Sequence, residues 1–455
     1  MKKILVFTIA LLQNVLQLAL AQDNLSGNWE GAIRISGVEL KIIVYFFQEN
    51  DSLKANIDIP QQGAKSVPLQ NIQYQTPHIS FALAAGPGLA TFKGKKEENK
   101  IEGSFSQSTY QGTFLLAKID ETTLQESKNL LPYREEEISF KNGENTLVGT
   151  LTIPKAAGKY TAIVLITGSG AQDRNSEILG FKPHEILADY LSRKDFAVLR
   201  YDDRGVGAST GKSVSESTTA DFAQDVLLAV ELLKQHPNID AKHIGLYGHS
   251  EGGIVAPMAA SQNPEIAFII LAAGTGVPGY QILNEQKKLI SQAAGLSDQE
   301  IKAGKKLNEQ IFKAIRTNQG WDKIEYQMMA ALAPEMDEVQ KKNYTKAQLD
   351  QLKSPWFRFF IDNDPRLFAE QVTCPVLLLF GELDLQVPPS QSRPALESAF
   401  KKGGNNNFTS YVFPKANHLF QEAQTGSPEE YALLKKTFVN GYLEYIHNWL
   451  SSVIK

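Results

Sequence analysis

The chain has 455 residues, of which 42% are hydrophobic and 21% are charged, and its formal net charge is −4. This length exceeds the roughly 250–300 residues that one hydrophobic core usually supports, so we expect two domains. The slightly acidic balance argues against nucleic-acid binding, and a single cysteine excludes an intrachain disulfide and argues against a cysteine-ligated metal site.

The first residues, MKKILVFTIALLQNVLQLALAQDN, have the pattern of a secretory signal peptide. Lys2 and Lys3 give a positive start, an apolar stretch follows, and Ala-Leu-Ala at 19–21 resembles a cleavage site. A membrane anchor is the alternative, but Gln13 and Gln17 interrupt the apolar stretch. We therefore predict a signal peptide over 1–21 and an exported protein, periplasmic or extracellular, with no membrane span after cleavage.

Residues 24–125 contain short runs of alternating or β-rich character, such as NWEGAIRI, LKANIDIP and YQGTFLLAKI. Segments rich in Gly, Pro, Asn and Asp separate them, and no helix-length pattern intervenes. This pattern predicts a small all-β domain, an antiparallel meander closed as a barrel or sandwich. The opening GNWEG is similar to the start of lipocalin-like barrels, so ligand binding is one possible role of this domain. The favoured role is a structural or dimer-forming domain, through which the protein could form oligomers.

Residues 135–455 have a different organisation. A hairpin pattern with Asn-Gly at 142–143 comes first, and continuous apolar runs such as TAIVLITG (161–168), HIGLYG (243–248) and CPVLLLFG (374–381) then alternate with helical patterns. Runs without alternation suit strands buried on both faces, so we predict an α/β domain with a mostly parallel sheet flanked by helices.

Two stretches of this domain are predicted to be helical. Residues 278–371 contain only helix-favouring segments and no buried strand, which indicates a helical cap inserted over the C-terminal edge of the sheet. Its apolar segments WFRFF (356–360) and YQMMAALA (326–333) either line an acyl pocket or form the core of the cap. The end of the chain is predicted to be a helix, with Ser427 as its N-cap and Pro428 in its first turn.

The segment LYGHSEGGIVAP, Leu246 to Pro257, matches Gly-x-Ser-x-Gly between a strand and a helix. This pattern fits the nucleophile elbow of the α/β-hydrolase fold, in which a strained turn would expose the hydroxyl of Ser250 at the edge of the sheet. A Gly-rich turn with a helix-capping serine is the alternative. The position of the motif between two predicted buried strands favours the elbow.

A serine nucleophile needs a base and an orienting acid, and in this fold they follow in the order serine, acid, histidine. Asp384 lies in the loop after the strand PVLLLFG and is preferred to Glu382, which is closer to the strand. His418 follows the last apolar strand, whereas His447 falls on the C-terminal helix and is expected to pack there. We therefore predict the catalytic residues Ser250, Asp384 and His418.

An oxyanion hole requires two backbone N–H donors. The N–H of Glu251, directly after the nucleophile, is the first. The loop GSGAQDRN after the strand TAIVLI offers the second, for which Ser169 is preferred and Gly170 is the next choice. The later turn DRGVGAST (203–210) is interpreted as structural packing beside the site, without chemistry.

The motifs GSGAQDRN, LRYDDRGVGAST, GHSEGG, GELDLQVP and NHLF, in this order, resemble those of bacterial α/β-hydrolases of the esterase and serine-aminopeptidase-like group, several of which carry an export signal and an extra N-terminal domain. The resemblance covers about residues 135–455. It implies Ser250 as nucleophile, with Asp384 and His418 completing the triad. One departure is Thr167-Gly168, where the wider group commonly has His-Gly.

The predicted function is hydrolysis of carboxylic esters with short to medium acyl chains through an acyl-enzyme, without a metal or an organic cofactor and with a small-molecule ester as substrate. Two alternatives remain open. One is a serine peptidase, an aminopeptidase or prolyl-peptidase-like enzyme, on the same triad. The other is a ligand-binding protein whose hydrolase fold is inert.

Overall fold

The computed structural model describes residues 25–35, 38–50, 52–59, 64–85, 88–108, 110–119, 131–332 and 337–454. The chain divides into two compact units, one ending at Glu121 and the other starting at Thr122. The predicted signal peptide, residues 1–21, lies outside the described residues. No helix in the described ranges combines the length and the apolar character that a bilayer span requires.

The first unit is a closed barrel in which each strand pairs antiparallel with the next and β8 pairs with β1. The predicted all-β domain is thus confirmed, as a barrel rather than a sandwich. Its strands are β1 Gly27–Ile35, β2 Val38–Glu49, β3 Ser52–Ile59, β4 Ala64–Gln75, β5 His78–Ala85, β6 Gly88–Glu97, β7 Lys100–Gln107 and β8 Tyr110–Lys118.

Aromatic side chains fill the interior of this barrel. Trp29, Phe81, Phe92 and Phe114 are almost completely buried, and Phe81 stacks on Phe92 with 4.7 Å between ring centroids. The indole Nε1 of Trp29 donates to the carbonyl of Leu25 at 2.9 Å, so the one polar atom of this side chain is satisfied. Such a packed interior is typical of small barrels whose inward side chains form the core.

The second unit is built on an eight-stranded sheet in the order β16-β15-β14-β13-β11-β12-β10-β9. Pairing is parallel from β12 through β11 to β16, and β9 and β10 form an antiparallel hairpin at the other edge. The strands are β9 Tyr133–Asn142, β10 Asn145–Pro154, β11 Tyr160–Ile166, β12 Ala197–Tyr201, β13 Ile239–His249, β14 Ile269–Ala272, β15 Val376–Gly381 and β16 Phe408–Phe413.

Among the described residues, five helices outside the insertion accompany this sheet. They are α1 Pro183–Ser192, α2 Thr219–Lys234, α3 Gly252–Gln262, α10 Pro389–Lys402 and α11 Tyr442–Val453. Every residue of β12, β14 and β15 is buried, because helical side chains cover both faces of the sheet. The predicted α/β fold with a mostly parallel sheet is confirmed.

The C-terminal helix starts later than predicted. Ser427 caps only the single 3-10 turn Pro428–Glu430, where its side chain accepts the N–H of Glu429, and α11 begins at Tyr442. The interruption has a local cause, since Gly441 adopts φ = 84° and the N–H of Val439 donates to the carbonyl of Phe420 instead of continuing a helix.

Between β14 and β15 the part of the chain that the structure describes forms six helices: α4 Gly279–Ala293, α5 Asp298–Thr317, α6 Trp321–Ala330, α7 Glu338–Leu352, α8 Pro355–Asp362 and α9 Arg366–Ala369. Ile311, Phe312, Ile315 and Ile361 form a small hydrophobic core inside this helical insertion, and Met328 packs against it. Of the two apolar segments noted in the sequence, WFRFF divides between two cores. Phe357 packs against this small core, whereas Phe360, Trp356 and Phe359 pack in the core around the sheet.

Candidate functional site: the turn between β13 and α3

The turn at the end of β13 places Ser250 in a strained conformation. Its φ is 56°, in the left-handed region that residues with a side chain adopt rarely and that clusters at active sites. Its N–H donates to the carbonyl of Ala272 at 2.9 Å, which ties the turn to the neighbouring strand. Glu251 follows as the N-cap of α3 with φ −59° and ψ −34°, so the helix starts immediately after the serine.

The flanking glycines are required by close backbone contacts. A Cβ atom on Gly248 would lie 2.0 Å from the carbonyl oxygen of Gly252, and a Cβ on Gly252 would lie 2.6 Å from the carbonyl oxygen of Ile166. These distances exclude any side chain at either position without movement of the backbone. The sequence motif thus has a steric cause, the tight passage of the chain from β13 into α3.

Asp384 and His418 meet in a buried hydrogen bond. Nδ1 of His418 donates to Oδ2 of Asp384 at 2.8 Å, and both residues are nearly inaccessible to solvent. The other oxygen of Asp384 accepts the N–H groups of Gln386 and Val387, each at 2.8 Å. The carboxylate is therefore held by three donors, one of which fixes the orientation of the imidazole.

Glu382, the carboxylate not chosen by sequence, is exposed and accepts the N–H of Lys415 at 2.8 Å. His447 lies in α11, with its ring 6.1 Å from that of Phe196 and 6.4 Å from that of Tyr190. Both residues thus have packing or loop-bracing contacts away from the bond between Asp384 and His418.

His249 brings His418 next to the turn. Nε2 of His249 donates to the carbonyl of His418 at 2.9 Å, and the two ring centroids are 4.8 Å apart. Burial, with a smaller contribution from His418, lowers the pKa of His249 to about 3, so its ring is neutral at physiological pH. Ser250 and His418 are both described by the structure, and no hydrogen bond joins the hydroxyl of the serine to the imidazole of the histidine. Hydrogen bonds of this kind often form only when substrate is bound.

The loop after β11 lies against the same turn. A Cβ atom on Gly168 would be 3.2 Å from Cβ of Ser250, and Ser169 and Gly170 are exposed. The left-handed φ of 94° at Gly170 turns the chain away from the strand, and the carbonyl of Ser169 accepts Nε2 of Gln172 at 3.2 Å. The predicted donor loop and the predicted nucleophile are thus adjacent.

Asp203 was assigned no role by sequence, yet its carboxylate braces this loop. It accepts the hydroxyl of Thr167 at 2.7 Å and the N–H of Gln172 at 2.9 Å, so it links the start of the loop to a residue five positions further on. Burial raises the pKa of Asp203 to about 8, although the two hydrogen bonds oppose this shift. Thr167, where the wider group commonly has histidine, is therefore fixed through its hydroxyl.

The side chain of Glu251 was also missed, since sequence reasoning used only its main-chain N–H. Its carboxylate is buried and accepts Oγ1 of Thr219 at 2.7 Å and the indole Nε1 of Trp356 at 2.9 Å. Burial raises the pKa of Glu251, and hydrogen bonding from Thr219, Trp356 and Ser169 opposes the rise. A carboxylate directly after a predicted nucleophile was the available signal, but nothing in the sequence pointed to Trp356.

The described residues contain no group of three or more His, Cys, Asp or Glu side chains that could hold a metal ion. The chemistry that this arrangement can support is that of an oriented imidazole beside a strained serine, with helix α3 and the loop after β11 supplying N–H groups near the hydroxyl.

The chain is similar to several known proteins. The chain is 24% identical over 430 residues to esterase EstD of Thermotoga maritima. The aligned region covers 93% of this chain and 92% of the relative. Among solved structures, α/β hydrolase GrgF from Penicillium sp. sh18 has 16% identity and a TM-score of 0.44, with 70% of this chain and 97% of that chain covered. The Pyrococcus furiosus esterase Pf2001 has 16% identity and a TM-score of 0.43, with 71% and 94% covered.

A family model described as serine aminopeptidase, S33, matches residues 183–423, which is more than half of the chain. The match includes Ser250, Asp384 and His418. The chain therefore belongs to the serine aminopeptidase S33 family and is a carboxylesterase-like hydrolase with the α/β-hydrolase fold.

Proposed function

We propose that the protein hydrolyses carboxylic esters through an acyl-enzyme formed on Ser250, with His418 as general base and Asp384 as its orienting acid. The observation that carries this proposal is the buried 2.8 Å hydrogen bond from His418 to Asp384 beside a serine with φ of 56°. A serine hydroxyl is a weak nucleophile, and an imidazole held in one tautomer by a carboxylate is the group that activates it.

In the first half of the reaction Ser250 attacks the ester carbonyl while Nε2 of His418 takes the proton of the hydroxyl. Because Nδ1 donates to Asp384, Nε2 is the free acceptor of the neutral ring, and the carboxylate stabilises the imidazolium that forms. His418 then protonates the leaving alcohol, and the carbonyl re-forms as the acyl-enzyme. In the second half, water attacks the acyl-enzyme with His418 again as base, which releases the acid and restores the serine.

The oxyanion of each tetrahedral intermediate would bind the N–H groups of Glu251 and Ser169. Glu251 occupies the start of α3, where the first N–H groups of a helix have no partner within it and carry the positive end of the helix dipole. The contact of Gly168 with Ser250 supports the second donor, because it brings the loop that contains Ser169 next to the nucleophile.

The acyl chain would enter an apolar pocket of about 350 Å³ in the helical insertion, which fits a short to medium chain. Leu283, Ile290, Phe312 and Phe357 are among its lining residues. Gln286, also in the lining, donates to Gln386 at 3.4 Å, two residues from Asp384, which connects this pocket to the proposed site. The insertion would thus act as the cap expected from sequence.

The aminopeptidase alternative requires a carboxylate that can hold the ammonium group of a peptide. Glu251 is the carboxylate next to the nucleophile, and each of its oxygens already accepts the indole N–H of Trp356, with Thr219 as a further donor. Asp203 likewise accepts two donors of its own loop. This engagement favours an ester over a peptide with a free N-terminus.

A binding protein with an inert hydrolase fold is the alternative from another class. The packed aromatic interior of the barrel argues against an enclosed lipocalin-like ligand, although an open depression lined in part by Arg34, Lys93 and Glu102 lies on this unit. The retention of all three proposed triad residues also favours an enzyme, since an inert copy commonly loses one of them.

The test is a panel of p-nitrophenyl esters of increasing chain length beside aminoacyl-p-nitroanilides, with the wild-type protein and three variants. We expect ester turnover to exceed anilide turnover, and Ser250→Ala, His418→Ala and Asp384→Asn to lower kcat by about 10⁴-fold or more, because the triad acts as a unit. An organophosphonate should label Ser250 of the wild-type protein.

Each result decides between the alternatives. Higher turnover on the anilides supports the peptidase. Absence of both turnover and a phosphonate adduct supports the binding protein. Melting temperatures of the three variants within a few degrees of wild type provide the control for folding.

We also infer export and self-association through the barrel. The signal-peptide pattern of residues 1–21 supports export, and N-terminal sequencing of the secreted protein should begin at Gln22. Light scattering of the full chain at several concentrations tests association. A monomer at all of them would contradict it.

A further inference from the structure

The carboxylate of Glu251 joins three parts of the fold at the proposed site. Oε1 accepts the hydroxyl of Thr219, the first residue of α2, at 2.7 Å. Trp356 of α8, in the helical insertion, donates its indole N–H at 2.9 Å to Oε1 and 3.0 Å to Oε2. The next residue, Gly252, lies against the loop after β11, because a Cβ there would be 2.6 Å from the carbonyl oxygen of Ile166 and 2.7 Å from that of Thr167.

The contact from Trp356 is held in a fixed direction. Its ring stacks on Phe360 one turn further along α8, with 5.1 Å between centroids and an angle of 15°. Ile361 of the same helix is completely buried in the core of the insertion. The indole N–H can therefore follow Glu251 only if α8 moves with it.

Both proposed oxyanion donors lie close to the residue that carries this carboxylate. One donor is the main-chain N–H of Glu251 itself, and the other belongs to Ser169, in the loop whose first carbonyl, that of Thr167, lies against Gly252. A change in the position of α8 therefore acts on the start of α3 through Trp356 and, through this backbone contact, on the loop.

We propose that Glu251 is a positioning residue, which couples the seating of helix α8 of the insertion, through Trp356, to the spacing of the N–H groups of Glu251 and Ser169. The structural coupling stands on the contacts above. Its effect on turnover rests on the proposed function.

The test compares Trp356→Phe with the matched control Trp321→Phe. Both changes remove one indole N–H from the insertion and keep an aromatic ring. Trp321, the first residue of α6, donates its indole N–H to the side-chain oxygen of Asn318 at 3.3 Å. With p-nitrophenyl acetate, whose acyl group is too short to use the insertion pocket, we expect Trp356→Phe to lower kcat about 10–100-fold through misplacement of the donors, with KM changed less than about twofold. We expect Trp321→Phe to stay within about twofold of wild type in both constants.

Glu251→Gln is the companion variant, because the amide keeps one acceptor oxygen and the shape of the side chain. We expect it to lower kcat less than Glu251→Ala, which keeps none. Melting temperatures separate this effect from loss of fold, and if the Glu251 variants do not fold, Trp356→Phe still decides.

Hydrogen–deuterium exchange of the full chain gives a readout that does not depend on activity. We expect peptides covering 166–172 and 355–362 to exchange faster in Trp356→Phe than in wild type or Trp321→Phe. Faster exchange together with the fall in kcat supports the proposal. Unchanged exchange at 166–172 overturns it, whatever the kinetics, as does faster exchange with unchanged kcat. If the wild-type protein has no esterase activity but Trp356→Phe still exchanges faster at both peptides, the structural coupling is supported and the proposed function is contradicted.

Discussion

At the scale of single residues, buried carboxylates organise the surroundings of Ser250. Asp203 holds Thr167 and Gln172, and Glu251 holds Thr219 and Trp356. A carboxyl group is costly to bury, most of all in its ionised form, and each of these groups accepts hydrogen bonds that offset part of this cost. The raised pKa of Asp203 makes this cost measurable.

We expect Asp203→Asn to change how stability depends on pH. The carboxyl has a pKa of about 8 in the fold and 3.8 as its ordinary value. Between these values the folded protein binds a proton that the unfolded chain has released, so stability falls as pH rises through this window. Urea midpoints at pH 5, 6, 7 and 8 should decline less steeply for Asp203→Asn than for wild type.

Thr167→Val is the matched control for this experiment. It removes the hydroxyl that donates to Asp203 and keeps the carboxyl that titrates. Its urea midpoint should be lower throughout but should still decline with pH. Parallel declines for Asp203→Asn and wild type would contradict the assignment.

At the scale of elements, the passage from β13 into α3 explains why the Gly-x-Ser-x-Gly pattern is informative. Both glycines are required by contacts with backbone atoms, and those atoms belong to α3 and to β11. The turn β9–β10 offers a contrast, because Gly143 has φ = 60° and no atom within 4 Å of the position of a Cβ.

We expect Gly248→Ala to be far more damaging than Gly143→Ala. The new methyl group at 248 would lie 2.0 Å from the carbonyl oxygen of Gly252, so the turn must shift and ester turnover should fall by at least about 100-fold, as for a misplacement of about 1 Å. Gly143→Ala should cost only about 1–2 kcal/mol of unfolding free energy from its positive φ and leave kcat unchanged. Urea titration and initial rates measure both, and equal effects of the two variants would contradict the steric explanation.

At the scale of the whole molecule, each of the two units has a large hydrophobic core of its own. One is the aromatic interior of the barrel, around Phe81 and Phe92, and the other surrounds the sheet of the second unit, including Leu378. Because each unit buries its own apolar residues, each has the means to unfold as a cooperative body.

We expect calorimetry to show two transitions that mutations shift separately. Phe92→Ala removes a completely buried ring and should lower the stability of the barrel by about 3–5 kcal/mol, while the transition of the second unit stays in place. Leu378→Ala, in β15, is the reciprocal control and should lower the other transition by about 2–5 kcal/mol. A single transition, or an equal shift of both by either variant, would indicate that the units unfold together.

Much of the fold followed from local patterns. Alternating runs predicted the barrel strands, and unbroken apolar runs predicted β11, β13 and β15, because strand burial on one or two faces determines the period of apolar residues. The C-terminal helix begins later than predicted, because the N–H of Val439 donates to the carbonyl of Phe420. This hydrogen bond joins residues far from the N-cap signal at Ser427, so the signal does not reveal it.

The sequence by itself determined the two kinds of unit and the tight turn around Ser250, because the residues that indicate them lie close together in the chain. It also singled out Asp384 and His418, because each follows a strand and the two come after the serine in the expected order. Only the tertiary structure decided that Asp203 braces the loop after β11 and that Glu251 meets Trp356, 105 residues away. Hydrogen bonds between distant side chains depend on how the elements pack, and no local pattern in the sequence records them.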